Sequence, residues 1–355
     1  MRDEKLDVQK GILAFLVILG HCILYGSIDQ QTLIQSKSFI LRFIYTFHMP
    51  LFMLMCGYFT AKSFEKYKLK LIVNRIVILF PLVWIAIISS IGSLKYGIIK
   101  YASVCLYKFL INIWFVWAVF WLTIVVSMVY SVLSVIKCNV YVRAVIYILI
   151  ICMASFLPNK YNLANYVFMM PYMFAGFEIG ISGKDINAIK IPKIINVIVF
   201  LTAVLLVINY NQMYMIHVGN LSLSETNDIV KQIFINMYRW VTGIVVSYVW
   251  WKSVNWLIGK FNKATVFFKT IGKIGRLSME IYVIHIYLLS ILKKMAKLLS
   301  IHYYFPIALM ESLIILGITL SIIFVLKKTN VYNLIFIKTK ILKISEIKNR
   351  KGTER

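Results

Sequence analysis

Residues 7–21 read DVQKGILAFLVILGH, and residues 47–58 read FHMPLFMLMCGY. Each stretch is an apolar helical run that carries one histidine. An ionisable side chain inside a membrane helix is costly unless it faces a polar cavity, so each histidine marks a candidate site. In the first run Asp7, Lys10 and His21 fall on one helical stripe, with Ala14 and Ile18 between them. His21 then lies about 20 Å along the axis from Asp7. One face therefore presents a charged pair at its mouth and an imidazole deep in the span. In the second run Pro50 removes a helix hydrogen bond just after His48, and the released carbonyl needs a protein-lined or wet surrounding. If this segment runs inward from residue 39, His48 sits about 14 Å below the outer boundary, within a turn or two of the depth of His21. The two imidazoles can line one cavity. The alternatives are a histidine that braces a kink and a histidine that bridges two helices.

Apolar segments like these recur over the whole chain of 355 residues, which is 61% hydrophobic and 15% charged. Runs of about 20 apolar residues are the signature of membrane spans. Ten segments are expected, near 8–25, 39–61, 73–92, 110–135, 141–157, 166–181, 194–210, 233–250, 277–298 and 305–326. The fold class is all-α, a polytopic membrane bundle of about ten helices. One transmembrane domain covers 1–326 and a basic tail covers 327–355. The first segment lacks a small-residue cleavage site and reads as a retained helix.

The formal charge of +26 does not point to nucleic acid. Most of the 39 basic residues fall in alternate connections and in the tail, as the positive-inside rule predicts for a chain with both termini cytoplasmic. The tail sequence KTKILKISEIKNRK suits the anionic inner leaflet of the bilayer. Five scattered cysteines show no CxxC spacing, so neither a disulfide framework nor a zinc site is expected. No cluster has metal-ligand spacing.

Three later segments add polar groups. Residues 272–285 read GKIGRLSMEIYVIH, placing Glu280, Tyr282 and His285 in or beside the membrane. Ser278, Tyr282 and His285 follow i, i+4, i+7 spacing and share a face. Residues 112–121, NIWFVWAVFW, hold Trp114 and Trp117, either as part of an interfacial aromatic belt or as a contact platform beside a site. Glu178 is an intramembrane carboxylate between Gly176 and Gly180, small residues that permit close helix packing.

Taken together, the DxxKGI…VxLGH run, FHMPLFMLMCGY, the WFVW at Trp114–Trp117 and GRLSMEIYVIH resemble the integral-membrane acyltransferase-3 family. The resemblance covers most of the chain. It implies about ten helices that bring acyl-CoA from the cytoplasm to a hydroxyl acceptor. The acceptor would be a cell-surface polysaccharide or its lipid-linked precursor, such as O antigen, capsule or exopolysaccharide, and the donor acetyl-CoA, with no bound cofactor. His21 matches the family's essential histidine, eleven residues after a position usually held by arginine. Lys10 stands there instead and keeps the charge without the bidentate fork, as in the branch resembling fucose- and enterobacterial-sugar acetylases. A second family pattern, Arg-x-x-Arg, survives as Arg75 with Ile72 in the partner position. Lys10, Arg75 and Lys70 are the expected CoA contacts. In this scheme His21 is the general base, and His48 polarises the thioester carbonyl or orients the acceptor. Asp7, Trp114, Trp117, Glu280, Tyr282 and His285 support the site. The expected location is a bacterial inner membrane. The rival readings are a polysaccharide-lipid flippase or transporter, which calls for an internal repeat with paired broken helices, and a polymerase, which calls for a larger basic outer loop than residues 211–232.

Overall fold

A computed structural model describes residues 3–30, 38–68, 79–109, 113–183, 192–216, 219–261, 265–329, 332 and 336. Its α-helices, in chain order, begin with α1 (Glu4–Tyr25), α2 (Phe39–Tyr67), α3 (Leu79–Ser90) and α4 (Ile98–Tyr107). They continue with α5 (Trp114–Val135), α6 (Val140–Ala154), α7 (Leu163–Ile181) and α8 (Lys193–Ile208). The last four are α9 (Ile229–Lys260), α10 (Thr265–Gly275), α11 (Ser278–Leu298) and α12 (Phe305–Lys328). No β-strand occurs among the described residues. A helix occupies each of the ten segments expected from hydropathy.

Local chemistry sets several helix ends. The Asp3 side chain accepts from the Lys5 and Leu6 amides and starts α1. Ser38 caps α2 and Asp228 caps α9 in the same way, satisfying N–H groups that have no partner within the helix. Helices α1, α2, α5 and α12 are each long and apolar enough to cross a bilayer. Helices α10 and α11 do so as a pair bent by 72°. At 15 and 16 residues, α6 and α8 fall short of a typical hydrocarbon core and require local thinning. Along α8, Ile194, Val197, Leu201 and Leu205 are exposed, an apolar surface suited to lipid on a helix whose backbone is already paired. The chain is a multi-pass membrane protein.

Two helices were not expected. Residues 265–275, read as part of a cytoplasmic loop, form α10. Its Ile271 packs on the first turns of α1, while Lys269 and Lys273 keep the segment polar enough to read as a connection. Helix α4, short and apolar, lies between the segments expected at 73–92 and 110–135.

Helix α1 is the hub and packs against α2, α10, α11 and α12. Its start defines the near end of the bundle and its finish the far end. Helix α2 runs unbroken through Pro50 and lies along α7. The two backbones touch at Gly176, where a Cβ would collide with the Leu54 carbonyl oxygen. This is the close packing that the small residues around Glu178 predict. Glu178 itself turns to α6, where Arg143 donates to both carboxylate oxygens, from Nε at 2.8 Å and Nη2 at 2.6 Å. The Tyr147 hydroxyl donates to the same carboxylate at 2.9 Å. At the far end Arg239 is 1% exposed. Its guanidinium donates to the carbonyls of Met213, Tyr214 and Asn220 and to Asn236 Oδ1. The connection between α8 and α9 is thus folded around one buried cation.

Candidate functional site

The near end of the site is built on Asp7, which is only 4% exposed. Lys10 Nζ lies 2.7 Å from its Oδ1, one helical turn along α1. Arg276, in the break between α10 and α11, places Nη1 3.9 Å from its Oδ2. Glycine makes this meeting possible. A Cβ at Gly275 would strike the Asp7 carbonyl, and one at Gly11 would strike the Ile271 carbonyl. The α10–α11 break therefore rests directly on the backbone of α1.

Two imidazoles meet further along the bundle, and a third, His48, lies behind Tyr45. The ring of His21 lies 5.6 Å from that of His285, centroid to centroid, with the planes inclined at 34°. Tyr25 stacks on the same histidine at 5.8 Å. His285 is fully buried, and its Nδ1 sits 2.8 Å from the Ile281 carbonyl. A carbonyl only accepts, so Nδ1 carries the proton and Nε2 holds the lone pair. That buried Nε2 has no hydrogen-bond partner among the described residues. His48 is fixed in the same tautomer by the Ile44 carbonyl at 2.6 Å. Its ring meets Tyr45 edge-on at 5.0 Å, and Tyr45 lies within electrostatic reach of Tyr25 and Tyr282. Tyr282 in turn contacts His285 at 5.7 Å.

A cavity of about 180 Å³ reaches His285 and runs along α11 as far as Ser278, two residues from Arg276. Helices α1, α2, α5 and α11 wall it. Ala14 and Ser278 line its near part, and Phe115, Tyr282 and His285 line the part beside the imidazoles. The lining is mostly apolar, which suits an extended organic chain better than an ion.

The sequence profile of the acyltransferase-3 family, described as an acyltransferase domain, matches residues 3–326. The chain belongs to the acyltransferase-3 family. Nodulation protein NolL of Mesorhizobium japonicum is 32% identical over 126 residues, 34% of this chain and 34% of that protein. Nodulation protein NolL of Sinorhizobium fredii is 31% identical over 132 residues, 33% of this chain and 34% of that protein. The matched region thus spans about a third of the length of these curated relatives. No solved structure matches.

Within this acyltransferase-3 chain, the predicted residues separate into groups. Asp7 and Lys10 form the expected pair. His21 meets His285, which the sequence placed among the supporting residues, while His48 joins through Tyr45. Ser278, Tyr282 and His285 all line the cavity, as their shared face predicts. Trp117 donates from Nε1 to the Phe109 carbonyl at 2.6 Å and packs into the core. Trp114 lies edge-on to Phe115, and of that aromatic run Phe115 lines the cavity. Glu280 is buried and accepts from the Tyr332 hydroxyl at 2.7 Å. Arg75 and Lys70 lie outside the described residues.

Sequence reasoning missed Arg276, Tyr25 and Tyr45. Tyr25 was visible as the i+4 neighbour of His21. Arg276 reads as one more topology-setting cation. The available signal was Gly275, which marks a close backbone approach.

Proposed function

We propose that this protein is a membrane O-acyltransferase that moves an acetyl group from acetyl-CoA to a hydroxyl of a cell-surface polysaccharide or its lipid-linked precursor. The observation that carries the reading is the His21–His285 pair beside a cavity that His285 lines and that extends to Ser278, two residues from Arg276. The near end opens to the cytoplasm of a bacterial inner membrane and admits the donor. The acceptor glycan reaches the imidazoles from the far end.

His21 takes the acceptor hydroxyl proton as the oxygen attacks the thioester carbonyl carbon. The C–O bond forms, the C–S bond breaks, and the imidazolium returns its proton to the leaving thiolate. The products are an O-acetyl ester and CoA. His285 Nε2, 5.6 Å away ring to ring and with no hydrogen-bond partner among the described residues, would take up a His21 ring N–H on a small approach of the two rings. His48, whose Nδ1 faces the Ile44 carbonyl, polarises the thioester carbonyl or orients the acceptor. Lys10, with Arg75 and Lys70, attracts the CoA phosphates.

The transporter reading expects broken helices in corresponding halves of the chain. Among the described residues one bent pair meets the test for a broken span, α10 with α11. The deciding experiment compares wild type and His21→Ala in a deletion host, reading O-acetyl resonances of the surface polysaccharide by NMR. Acetyl signals restored by wild type alone, at equal protein level and unchanged glycan length, support the reading. Unchanged acetylation with a collapse of export or chain length replaces it with the transporter or polymerase.

A further inference from the structure

We propose that Arg276 is a donor-binding residue that grips the phosphates of the thioester substrate at the near-end mouth of the cavity, an assignment that rests on the acyl-CoA reading above. Three observations carry it.

The first is the charge balance around Asp7. A buried carboxylate requires one close cation, and Lys10 at 2.7 Å supplies it. Arg276 stands at 3.9 Å, beyond hydrogen-bond distance, and no hydrogen bond occupies its guanidinium among the described residues. Its side chain is 41% exposed. Among the described residues, Lys10 and Arg276 set two positive charges against the single negative charge of Asp7, and the Arg276 guanidinium keeps a planar fork of N–H donors that this ion pair does not consume. Such a fork matches phosphate oxygens two at a time.

The second is placement. Arg276 lies two residues before Ser278, which lines the cavity. Its backbone amide is bonded to Gly272, and the adjoining Gly275 rests on the Asp7 carbonyl. Backbone packing therefore holds the cation two residues from the cavity lining, with its side chain 41% exposed.

The third is reach. His285 lies seven residues after Ser278, about 10 Å along α11, with Arg276 two residues before that helix begins, and His21 follows Lys10 by eleven, about 16 Å. A pantetheine arm, with two amide links, extends on the order of 15 Å at peptide-like bond lengths. An anion held by Arg276 and Lys10 sets the thioester beside the His21–His285 pair, with the arm lying in the apolar cavity.

The test is a calorimetric titration of the full-length protein in nanodiscs with CoA and with pantetheine, which has the same arm and no phosphates. Arg276→Ala is expected to raise the Kd for CoA about tenfold, the loss of a charge-assisted contact. Arg276→Lys is expected to fall between that variant and wild type, and the weaker pantetheine Kd is expected to stay within about twofold. A CoA Kd that Arg276→Ala leaves unchanged overturns the assignment while the donor reading stands. So does a parallel loss for both ligands, which marks a structural role. A wild-type protein that does not bind CoA overturns the donor reading and Arg276 with it.

Discussion

The imidazoles of His21 and His285 lie 5.6 Å apart, centroid to centroid, and join the first helix to the eleventh. One comes from the second turn before the end of α1, the other from the interior of a helix near the opposite end of the sequence. Neither segment builds the site alone.

That pairing makes the two histidines interdependent. His21→Ala and His285→Ala are each expected to lower acetyl transfer about a hundredfold or more, the usual scale of general acid–base catalysis. The double variant should lose little beyond either single one, because residues that act as a unit are not additive. Turnover at saturating donor, with protein level checked by immunoblot, measures this. Additive losses would mean two independent roles.

Filling the cavity should block the donor without touching any polar group. Ala14→Phe puts a ring into a space of about 180 Å³, beside the path between the mouth and the imidazoles. Overpacking costs about 1–3 kcal/mol, which a stable bundle tolerates. CoA binding should fall sharply in calorimetry while the unfolding midpoint drops by only a few degrees. Normal CoA affinity in this variant would place the arm elsewhere.

The bond between α6 and α7 is structural. Arg143 and Glu178 are 15% and 17% exposed and share two hydrogen bonds. Removing one partner leaves a charge with little access to water, so Arg143→Ala should cost about 3–5 kcal/mol. Thermal unfolding in detergent reads the loss, and CoA affinity at a temperature where the variant stays folded should match wild type.

A pH effect is expected in the connection between α1 and α2. The Tyr303 backbone N–H donates to the Asp29 carboxylate at 2.7 Å, and His302 lies 3.3 Å away. These partners, the backbone amide first, hold the Asp29 carboxyl below its ordinary range. A lowered carboxylate pKa contributes stability that is present above the unfolded-state value, about 3.9, and is lost as pH falls through the folded one. The clasp between this connection and the one joining α11 to α12 should therefore weaken below about pH 4. Asp29→Asn should lower the midpoint at pH 7 and flatten its decline toward pH 3, as followed by thermal scans.

Much of the helical architecture was legible because a bilayer demands long apolar runs, and those runs are local. The Asp7–Lys10–His21 stripe was legible for the same reason, since one helix fixes the offsets. The partner of His21 was not. Depth matched His21 with His48, and only packing decides which ring meets which. Helix α10 was hidden because a short amphipathic helix with two lysines has the composition of a polar loop. Arg276 was hidden twice, first by that loop and then by its resemblance to any topology-setting cation. The tryptophans drew attention by size, yet a phenylalanine between them lines the cavity.

Helices α1 and α11 run in the same direction, and each carries a cation at its start and an imidazole further along. Distance in this protein is therefore written as a residue count. Deleting one residue between Gly11 and Gly20 would rotate His21 by about 100° and draw it about 1.5 Å toward Lys10, with every functional side chain still present. Substitutions along these two helices change chemistry, whereas insertions and deletions change alignment. Length variation within a lineage of such chains should gather in the connections and spare the interiors of α1 and α11.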